Sequence, residues 1–236
     1  MEVVILAGGL GTRLRSAIGN EIPKCMAPVA GKPFLWYLLK YLTRYDVSRV
    51  VLSVGHLREV ICKWIDDVKN EFPFDFDYAV ENEPLGTGGG IRLALNRTLG
   101  NDVVVLNGDT FFDVDLNDFW RKHIENERPH VSIALKPMEQ FERYGNVRLK
   151  SDEKTIYAFE EKKYCKYGNI NGGVYIVNKC NCFSPGLPVK FSFEKDVLEA
   201  DCALCHFLGF RYDGYFKDIG IPEDYAQAND DFKILF

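Results

Sequence analysis

Two kinds of apolar pattern alternate along the first 130 residues. Short runs rich in β-branched residues have the continuous apolar character of strands buried on both faces. The predicted strands are Val3–Leu6, Arg49–Val54, Phe76–Val80 and Val103–Leu106. Between these strands, apolar residues recur at helical spacing. One predicted helix begins at Pro33, and two others cover His56–Asn70 and Gly88–Arg97. Because alternating strands and helices form parallel sheets, this half predicts a doubly wound, mostly parallel, Rossmann-like α/β fold.

Beyond about residue 130, strand-like runs follow one another with short polar turns between them. The predicted strands are Val131–Leu135, Asn146–Leu149, Ile156–Phe159 and Val174–Val177, and helices are predicted at Phe193–Ala200 and from Pro222. Strands without intervening helices favour antiparallel pairing. We therefore expect antiparallel additions to the same sheet, within a single domain over residues 1–236.

Composition and charge narrow the class of protein. The hydrophobic fraction of 47% can supply a sizeable core. The formal net charge is -5 and no basic block occurs, so we expect no nucleic-acid partner. The apolar run Val3–Leu6 is too short for a signal-peptide core or a membrane span, and we expect a cytoplasmic protein with no membrane partner.

Seven cysteines at irregular spacing do not form a disulfide framework in a chain of this size. Cys180 and Cys182 are closer together than zinc ligands usually are, and only His206 lies near the pair Cys202 and Cys205. We expect buried or incidental thiols.

A glycine-rich loop, Ala7–Leu14, follows the first predicted strand. Glycines allow backbone N–H groups to approach a phosphate chain, and the Arg13 guanidinium adds a fixed cation. The loop continues as a long polar excursion to Lys24, whereas a dinucleotide-binding loop opens a helix directly. No glycine-lysine-serine or glycine-lysine-threonine ending occurs, which excludes a P-loop. The loop is suited to a triphosphate plus a second phosphate.

Two aspartates follow apolar segments. Asp109 comes after the strand Val103–Leu106, which places its carboxylate at the carboxyl edge of the sheet, where open α/β folds bind ligands. Asp218 follows Tyr215-Phe216-Lys217 in a similar setting. Two carboxylates that meet over phosphates suit a magnesium ion. From the residues alone, each could equally be a helix cap or a turn residue.

The chain resembles the sugar nucleotidyltransferases, whose signature motifs it carries in order over nearly its whole length. The motifs are Gly9–Leu14 with Pro23-Lys24, Glu83–Gly89, Asn107–Asp109, Glu160–Lys162, Asn171–Tyr175 and Phe216–Gly220. Within the family it is most similar to the D-glycero-D-manno-heptose 1-phosphate guanylyltransferases, which are similarly short and share the Pro-Lys-Cys-Met-Ala-Pro form of the lysine motif. Cys25 departs from the wider family, in which a proline usually follows the lysine.

The resemblance implies a nucleotidyltransferase fold of the GT-A-like type and a role for each motif. The implied catalytic residues are Arg13, Lys24 and Lys162. The implied nucleotide-binding residues are Leu6, Gly8, Gly9, Gly11, Thr12, Arg13, Glu81, Gly86, Thr87, Gly88 and Asp109. The implied sugar-phosphate-binding residues are Gly108, Gly145, Glu161, Lys162 and Asn171, and the implied magnesium ligands are Asp109 and Asp218. Residues 1–130 would then bind mainly the nucleotide and residues 131–236 mainly the sugar phosphate.

The implied reaction is in-line attack by a sugar 1-phosphate oxygen on the α-phosphate of a nucleoside triphosphate, with release of pyrophosphate. Positioning and charge neutralisation by Mg²⁺, Arg13 and Lys24 would suffice, because an ionised phosphate needs no general base. From the residues alone, Lys162 could belong to a solvated charge run with Lys163. Neither the sugar nor the oligomeric state follows from the sequence, and a homo-oligomer is compatible with it.

Glu81 bears on the choice of base, because it ends the strand Phe76–Val80 where the family contacts the base. A carboxylate only accepts hydrogen bonds, and guanine offers adjacent N1–H and N2–H donors, which favours GTP over UTP. Together with this preference, the resemblance implies GTP and D-glycero-α-D-manno-heptose 1-phosphate as the substrates. The alternatives are mannose 1-phosphate as acceptor, UTP or dTTP as donor, a cytidylyltransferase, or a non-catalytic nucleotide-sugar sensor. Alternatively, Glu81 could be an exposed residue at the strand end.

Overall fold

The fold is mixed α/β, as predicted, with a mostly parallel sheet and antiparallel strands added to it. A computed structural model describes residues 1–9, 11–127, 129–204 and 206–236, so Leu10 of the glycine-rich motif and Cys205 lie outside the described residues. The strands are β1 Glu2–Leu6, β2 Pro28–Val29, β3 Lys32–Pro33, β4 Arg49–Val54, β5 Asp75–Val80, β6 Asp102–Asn107, β7 Thr110–Phe112, β8 Val131–Phe141, β9 Asn146–Leu149, β10 Ile156–Glu160, β11 Cys165–Asn178, β12 Phe207–Arg211 and β13 Phe216–Asp218.

The helices lie on both faces of the sheet. The α-helices are α1 Arg15–Ile18, α2 Phe34–Leu42, α3 Arg58–Val68, α4 Gly86–Leu95, α5 Leu116–Glu125 and α6 Pro222–Leu235. A π-helix spans Glu194–Glu199, and 3₁₀ turns lie at Lys24–Met26, Lys69–Glu71 and Cys202–Leu204. In the described parts of the chain, no helix combines the length and apolar character needed to cross a membrane.

The main sheet follows the order β10-β9-β11-β6-β1-β4-β5, and β8 lies between β11 and β12. Strands β6, β1, β4 and β5 are parallel neighbours, with Val3 opposite both Val50 and Val104. These four strands end at one edge of the sheet. The loops that follow them therefore meet there, and they carry the glycine-rich motif, Glu81 and Asp109.

Alternate residues of the central strands pack into two separate cores. Val3 and Ile5 face a core shared with α2, α3, α5 and α6, whereas Val4 faces a core shared with α4 and the π-helix. Burial of both faces explains why these strands are continuous apolar runs without the alternation of a half-exposed strand.

The second half differs in detail from the expectation. Strand β11 begins at Cys165, nine residues before the predicted start at Val174, and a register shift between Asn171 and Tyr175 accommodates the Asn-Gly-Gly segment. Strand β12 was not predicted, and it pairs with β8 in parallel. The predicted helix Phe193–Ala200 is a π-helix at Glu194–Glu199.

Helix α5 was also missed by the pattern of apolar residues, although its N-terminus is strongly specified. The Asp115 carboxylate accepts hydrogen bonds from the backbone N–H groups of Asn117 and Asp118. Only Leu116, Phe119 and His123 are buried in this helix, so its apolar stripe is short. The N-cap residue Asp115, and not the spacing of apolar residues, indicates the start of this helix in the sequence.

Candidate active site

Two adjoining clefts open at the carboxyl edge of the parallel strands. The first cleft, of about 390 Å³, is formed by the glycine-rich loop, the ends of β1, β4 and β5, and the start of α4. The predicted residues that line it are Leu6, Gly8, Gly9, Gly11, Thr12, Arg13, Lys24, Glu81, Gly86, Thr87 and Asp109. The predicted nucleotide-binding residues thus share one cleft, with the exception of Gly88.

Gly88 lies behind this surface and packs against Phe191. Its N–H donates to the Phe191 carbonyl oxygen at 3.1 Å, and a Cβ at this position would overlap the Phe191 ring. Packing against that ring explains why this position requires a glycine. The nucleotide-binding role expected for Gly88 stays a prediction.

The second cleft, of about 680 Å³, lies between β11, the end of β10 and the π-helix. The predicted residues that line it are Gly145, Glu161, Lys162, Asn171, Asp218 and Arg13. Gly108 lies beside the two clefts, in a smaller recess that is also lined by Lys24 and Asp109. The second half of the chain therefore contributes most of the second cleft.

Three charged side chains meet where the two clefts join. The Lys24 ammonium is hydrogen-bonded to the Asp109 carboxylate, and its Nζ lies 3.7 Å from Asp218 Oδ1. Strand β13 pairs with β7, with Asp218 opposite Thr110, and the Ile219 N–H donates to the Asp109 carbonyl oxygen at 3.0 Å. This pairing brings together two aspartates that are 109 positions apart in the sequence.

The Asp218 carboxyl is affected by burial and by its charged neighbours. Burial raises the pKa of the Asp218 carboxyl above its ordinary value, and the negative charge of Asp109 raises it further, whereas Lys24 lowers it. One ammonium thus stands between two acidic groups at the junction. The arrangement favours additional positive charge at this point.

The donor set fits a divalent cation that also binds phosphate. Among the residues described, no group of three or more histidine, cysteine, aspartate or glutamate side chains could hold a metal alone. Magnesium is commonly bound through one or two carboxylates together with substrate phosphates. Hard oxygen donors from Asp109 and Asp218 at the edge of a glycine-rich loop match that requirement.

The Glu81 carboxylate is held in the wall of the first cleft. Its Oε1 accepts a hydrogen bond from the Ser53 hydroxyl at 3.1 Å, and its Oε2 accepts one from the Leu85 N–H at 3.0 Å. Gly8 and Gly90 enclose the same carboxylate, because a Cβ at either position would lie 2.9 Å from Oε1. Glu81 is therefore half-buried and oriented, which excludes the exposed alternative.

The acidic run before Lys162 divides into two roles. Glu160 forms an ion pair with Arg148 at 3.1 Å and accepts a hydrogen bond from Asn146, and these contacts lower the pKa of its carboxyl. By contrast, Glu161 and Lys162 line the second cleft and have no hydrogen-bond or ion-pair partner within the described residues. Charged groups that lack protein partners are available to a ligand.

Several cleft residues were not predicted from the sequence. Ser53 is a buried polar residue between the apolar residues Leu52 and Val54, and a polar residue within an apolar run is the signal that could have found it. Others that no motif marks line the second cleft, among them Tyr144, Glu194, Lys195 and Glu199. Cys25 lies beside the junction as a buried thiol, and burial, together with the Asp109 charge, raises its pKa to about 12. A protonated thiol has no role in phosphate attack.

Comparison with known proteins identifies relatives of this arrangement. The family model described as Nucleotidyl transferase matches residues 2–233. A D-glycero-alpha-D-manno-heptose 1-phosphate guanylyltransferase from Aneurinibacillus thermoaerophilus is 47% identical over 97% of this chain and 96% of its own length. The protein of the same name from Campylobacter jejuni is 42% identical over 95% of this chain and 97% of its own length.

Among solved structures, HddC from Yersinia pseudotuberculosis complexed with GMP-PN superposes with a TM-score of 0.83. It is 36% identical, and the match covers 98% of this chain and 99% of that chain. The likeness therefore extends over nearly the whole chain.

Proposed function

Because the chain belongs to the nucleotidyl transferase family, we propose that it transfers GMP from GTP to D-glycero-α-D-manno-heptose 1-phosphate, giving GDP-heptose and pyrophosphate. The observation that carries this proposal is the identity, over nearly the full length of both chains, to two guanylyltransferases that act on this heptose phosphate. Mannose 1-phosphate as acceptor, or UTP or dTTP as donor, has less support, because both of these relatives are named for heptose and guanylyl transfer.

In this proposal, GTP occupies the first cleft. The backbone of the glycine-rich loop and the Arg13 guanidinium bind the triphosphate, since backbone N–H groups and a guanidinium both donate to phosphate oxygens. The base lies against Glu81, whose two oxygens each have a further lone pair beyond those used by Ser53 and Leu85. Guanine presents two adjacent donors to such an acceptor.

The sugar 1-phosphate occupies the second cleft, so residues 1–130 bind mainly the nucleotide and residues 131–236 mainly the acceptor. Lys162 binds the phosphate, and Glu161 and Asn171 accept hydrogen bonds from sugar hydroxyls. Arg13 lines both clefts and is placed to reach phosphates of either substrate. The two substrates therefore meet at the Lys24–Asp109–Asp218 junction.

The chemistry at the junction is a direct displacement. An oxygen of the sugar phosphate forms a bond to the α-phosphorus of GTP, the bond from that phosphorus to the bridging oxygen of the β-phosphate breaks, and pyrophosphate leaves. Arg13 and Lys24 neutralise the charge that develops on the phosphates. Asp109 and Asp218 would hold a magnesium ion, which supplies further charge neutralisation when bound.

We place this reaction in the cytoplasm, where GTP is available, and we propose that the activated heptose serves surface-polysaccharide assembly. Detection of the protein with the membrane fraction only would contradict the compartment. Normal surface polysaccharide in a strain without the protein would contradict the proposed role in surface-polysaccharide assembly.

A panel of nucleoside triphosphates crossed with sugar 1-phosphates tests the proposed function, with pyrophosphate release as the signal. The proposal expects the highest kcat/KM for GTP with the heptose phosphate. A higher kcat/KM for any other pair would make that pair the substrates in place of the proposed ones. No pyrophosphate release from any pair would contradict the assignment as an active enzyme.

A further inference from the structure

The two clefts are joined by a direct contact between their linings. Thr87 lies in the first turn of α4 and lines the first cleft, whereas Glu194 is the first residue of the π-helix and lines the second. The Thr87 hydroxyl donates to Glu194 Oε2 at 2.6 Å and accepts a hydrogen bond from the Phe193 N–H at 2.9 Å. One hydroxyl group thus connects the start of α4 to the start of the π-helix.

Neighbouring contacts hold Glu194 in this position. The Ser192 hydroxyl also donates to Glu194 Oε2, at 3.0 Å, and accepts from the Lys195 N–H at 3.2 Å. The Ser192 N–H donates to the Asp196 carboxylate at 2.7 Å. The first turn of the π-helix is therefore fixed relative to the Glu194 side chain, and with it the backbone of Lys195.

The segment that precedes the π-helix, residues Leu187–Phe193, is bound along α4, and we call it the connecting segment. The Arg92 guanidinium donates to the carbonyl oxygens of Leu187, Pro188 and Val189, and its charge lies 4.8 Å from the centre of the Phe191 ring. The Phe191 N–H donates to the Leu85 carbonyl oxygen at 3.0 Å. Helix α4 and the connecting segment are thus linked by several hydrogen bonds.

We propose that Glu194 is a positioning residue that couples the two substrate clefts through Thr87. GTP in the first cleft contacts the start of α4, and Glu194, bonded to the Thr87 hydroxyl, holds the π-helix, with Lys195 and Glu199, in place for the sugar phosphate. π-Helical turns are frequent at functional sites, where they direct side chains into a pocket. The inference rests on the proposed function, since it requires that the two clefts bind two substrates.

The test is a crossed one, because each variant is assayed for the substrate of the other cleft. Thr87→Val removes the hydroxyl from the first cleft and should raise KM for the heptose 1-phosphate about fivefold to tenfold, at the lower end of typical coupling between sites. Glu194→Ala changes the second cleft and should raise KM for GTP by a similar factor. The double variant should raise each KM no further than the larger single effect.

Two further variants separate positioning from general destabilisation. Glu194→Gln keeps an oxygen that can accept from both hydroxyls, so it should restore the GTP KM toward the native value. Ser184 lies near the π-helix but outside both clefts, and its hydroxyl donates to the Asp201 carboxylate at 2.5 Å. Ser184→Ala therefore removes a comparable hydroxyl–carboxylate hydrogen bond away from the substrates. It should leave both KM values unchanged.

The outcomes are distinguishable from failure of the proposed function. If the native enzyme does not turn over GTP with the heptose phosphate, the proposed function fails, and the crossed assay is run on the pair that the panel identifies. If the native enzyme is active but Thr87→Val alters only the GTP KM and Glu194→Ala only the sugar-phosphate KM, the coupling is contradicted. Equal crossed effects in Ser184→Ala would also contradict it.

Discussion

The ammonium group of Lys24 is hydrogen-bonded to Asp109 and lies 3.7 Å from Asp218, at the point where the two clefts join. Without that ammonium, two carboxylates would face each other in a partly buried setting, where like charges repel strongly. Lys24 therefore stabilises the junction in the absence of ligands, and in the proposed reaction it neutralises phosphate charge. The same side chain would exchange carboxylate partners for phosphate oxygens as the substrates bind.

Replacing either aspartate by asparagine should abolish most of the activity. Asp109→Asn and Asp218→Asn each remove a charged oxygen donor from the proposed cation site, and we expect kcat to fall on the order of 100-fold or more. The measurement is kcat at saturating Mg²⁺, with circular dichroism to verify the fold. Asp113→Asn is the matched control, because Asp113 forms an ion pair with Arg44 outside both clefts. Near-native kcat in both variants would contradict the cation site.

Lys24→Met should separate metal binding from turnover. Removing the ammonium leaves the two carboxylates free of a competing cation, so we expect Mg²⁺ to bind the ligand-free enzyme about tenfold more tightly. We expect kcat to fall, because the phosphates lose a fixed positive charge. Isothermal titration with Mg²⁺ and steady-state kinetics measure the two effects. Weaker Mg²⁺ binding by Lys24→Met would show that the ammonium does not compete for these carboxylates.

Glu81→Gln should weaken the preference for guanine. The amide presents a donor where guanine also presents donors, and a buried unpaired polar group costs about 1–3 kcal/mol, which corresponds to roughly a tenfold to hundredfold fall in kcat/KM for GTP. The value for UTP should rise or fall less. Ser53→Ala leaves the carboxylate but removes its orienting donor, so we expect a smaller change in the same direction. An unchanged ratio of GTP to UTP efficiencies in Glu81→Gln would remove Glu81 from base recognition.

Gly88→Ala should destabilise the fold, although alanine has a higher helix propensity than glycine. The added methyl would overlap the Phe191 ring, and such overpacking costs about 1–3 kcal/mol. For a chain of this size, each kcal/mol lowers the melting temperature by roughly 2–4 °C. Gly9→Ala is the control for stability, because a Cβ there meets no atom within 4 Å. A melting temperature for Gly88→Ala equal to the native value would show that Phe191 moves aside without cost.

Much of the site could be predicted from the sequence, because its residues follow strand ends. Parallel strands bring their carboxyl ends together, so the loop after Leu6, Glu81 after Val80 and Asp109 after Asn107 had to meet at one edge. Asp218 belongs to a different strand pair, and its position beside Asp109 depends on the pairing of β13 with β7. The resemblance supplied that placement, which no local pattern contained.

The parts that the sequence did not predict depend on long-range packing. Ser53 is a polar residue within an apolar run, but its link to the site depends on its contact with Glu81, 28 positions later. Glu194 becomes informative only through Thr87, which lies 107 positions earlier. Strand β12 has no neighbour in the sequence that would indicate its parallel pairing with β8. Side chains whose role comes from a distant contact leave no spacing that a single sequence can show.

The central claim, guanylyl transfer to a heptose phosphate, is tested most directly by competition in one vessel. Equal concentrations of GTP, UTP, dTTP, CTP and ATP are supplied with D-glycero-α-D-manno-heptose 1-phosphate and Mg²⁺, and the nucleotide-sugar products are separated and identified by mass spectrometry. Product ratios under competition report the ratios of kcat/KM directly. We predict that GDP-heptose exceeds every other product by about tenfold or more. A dominant UDP- or dTDP-heptose product, or no nucleotide sugar, would contradict the claim.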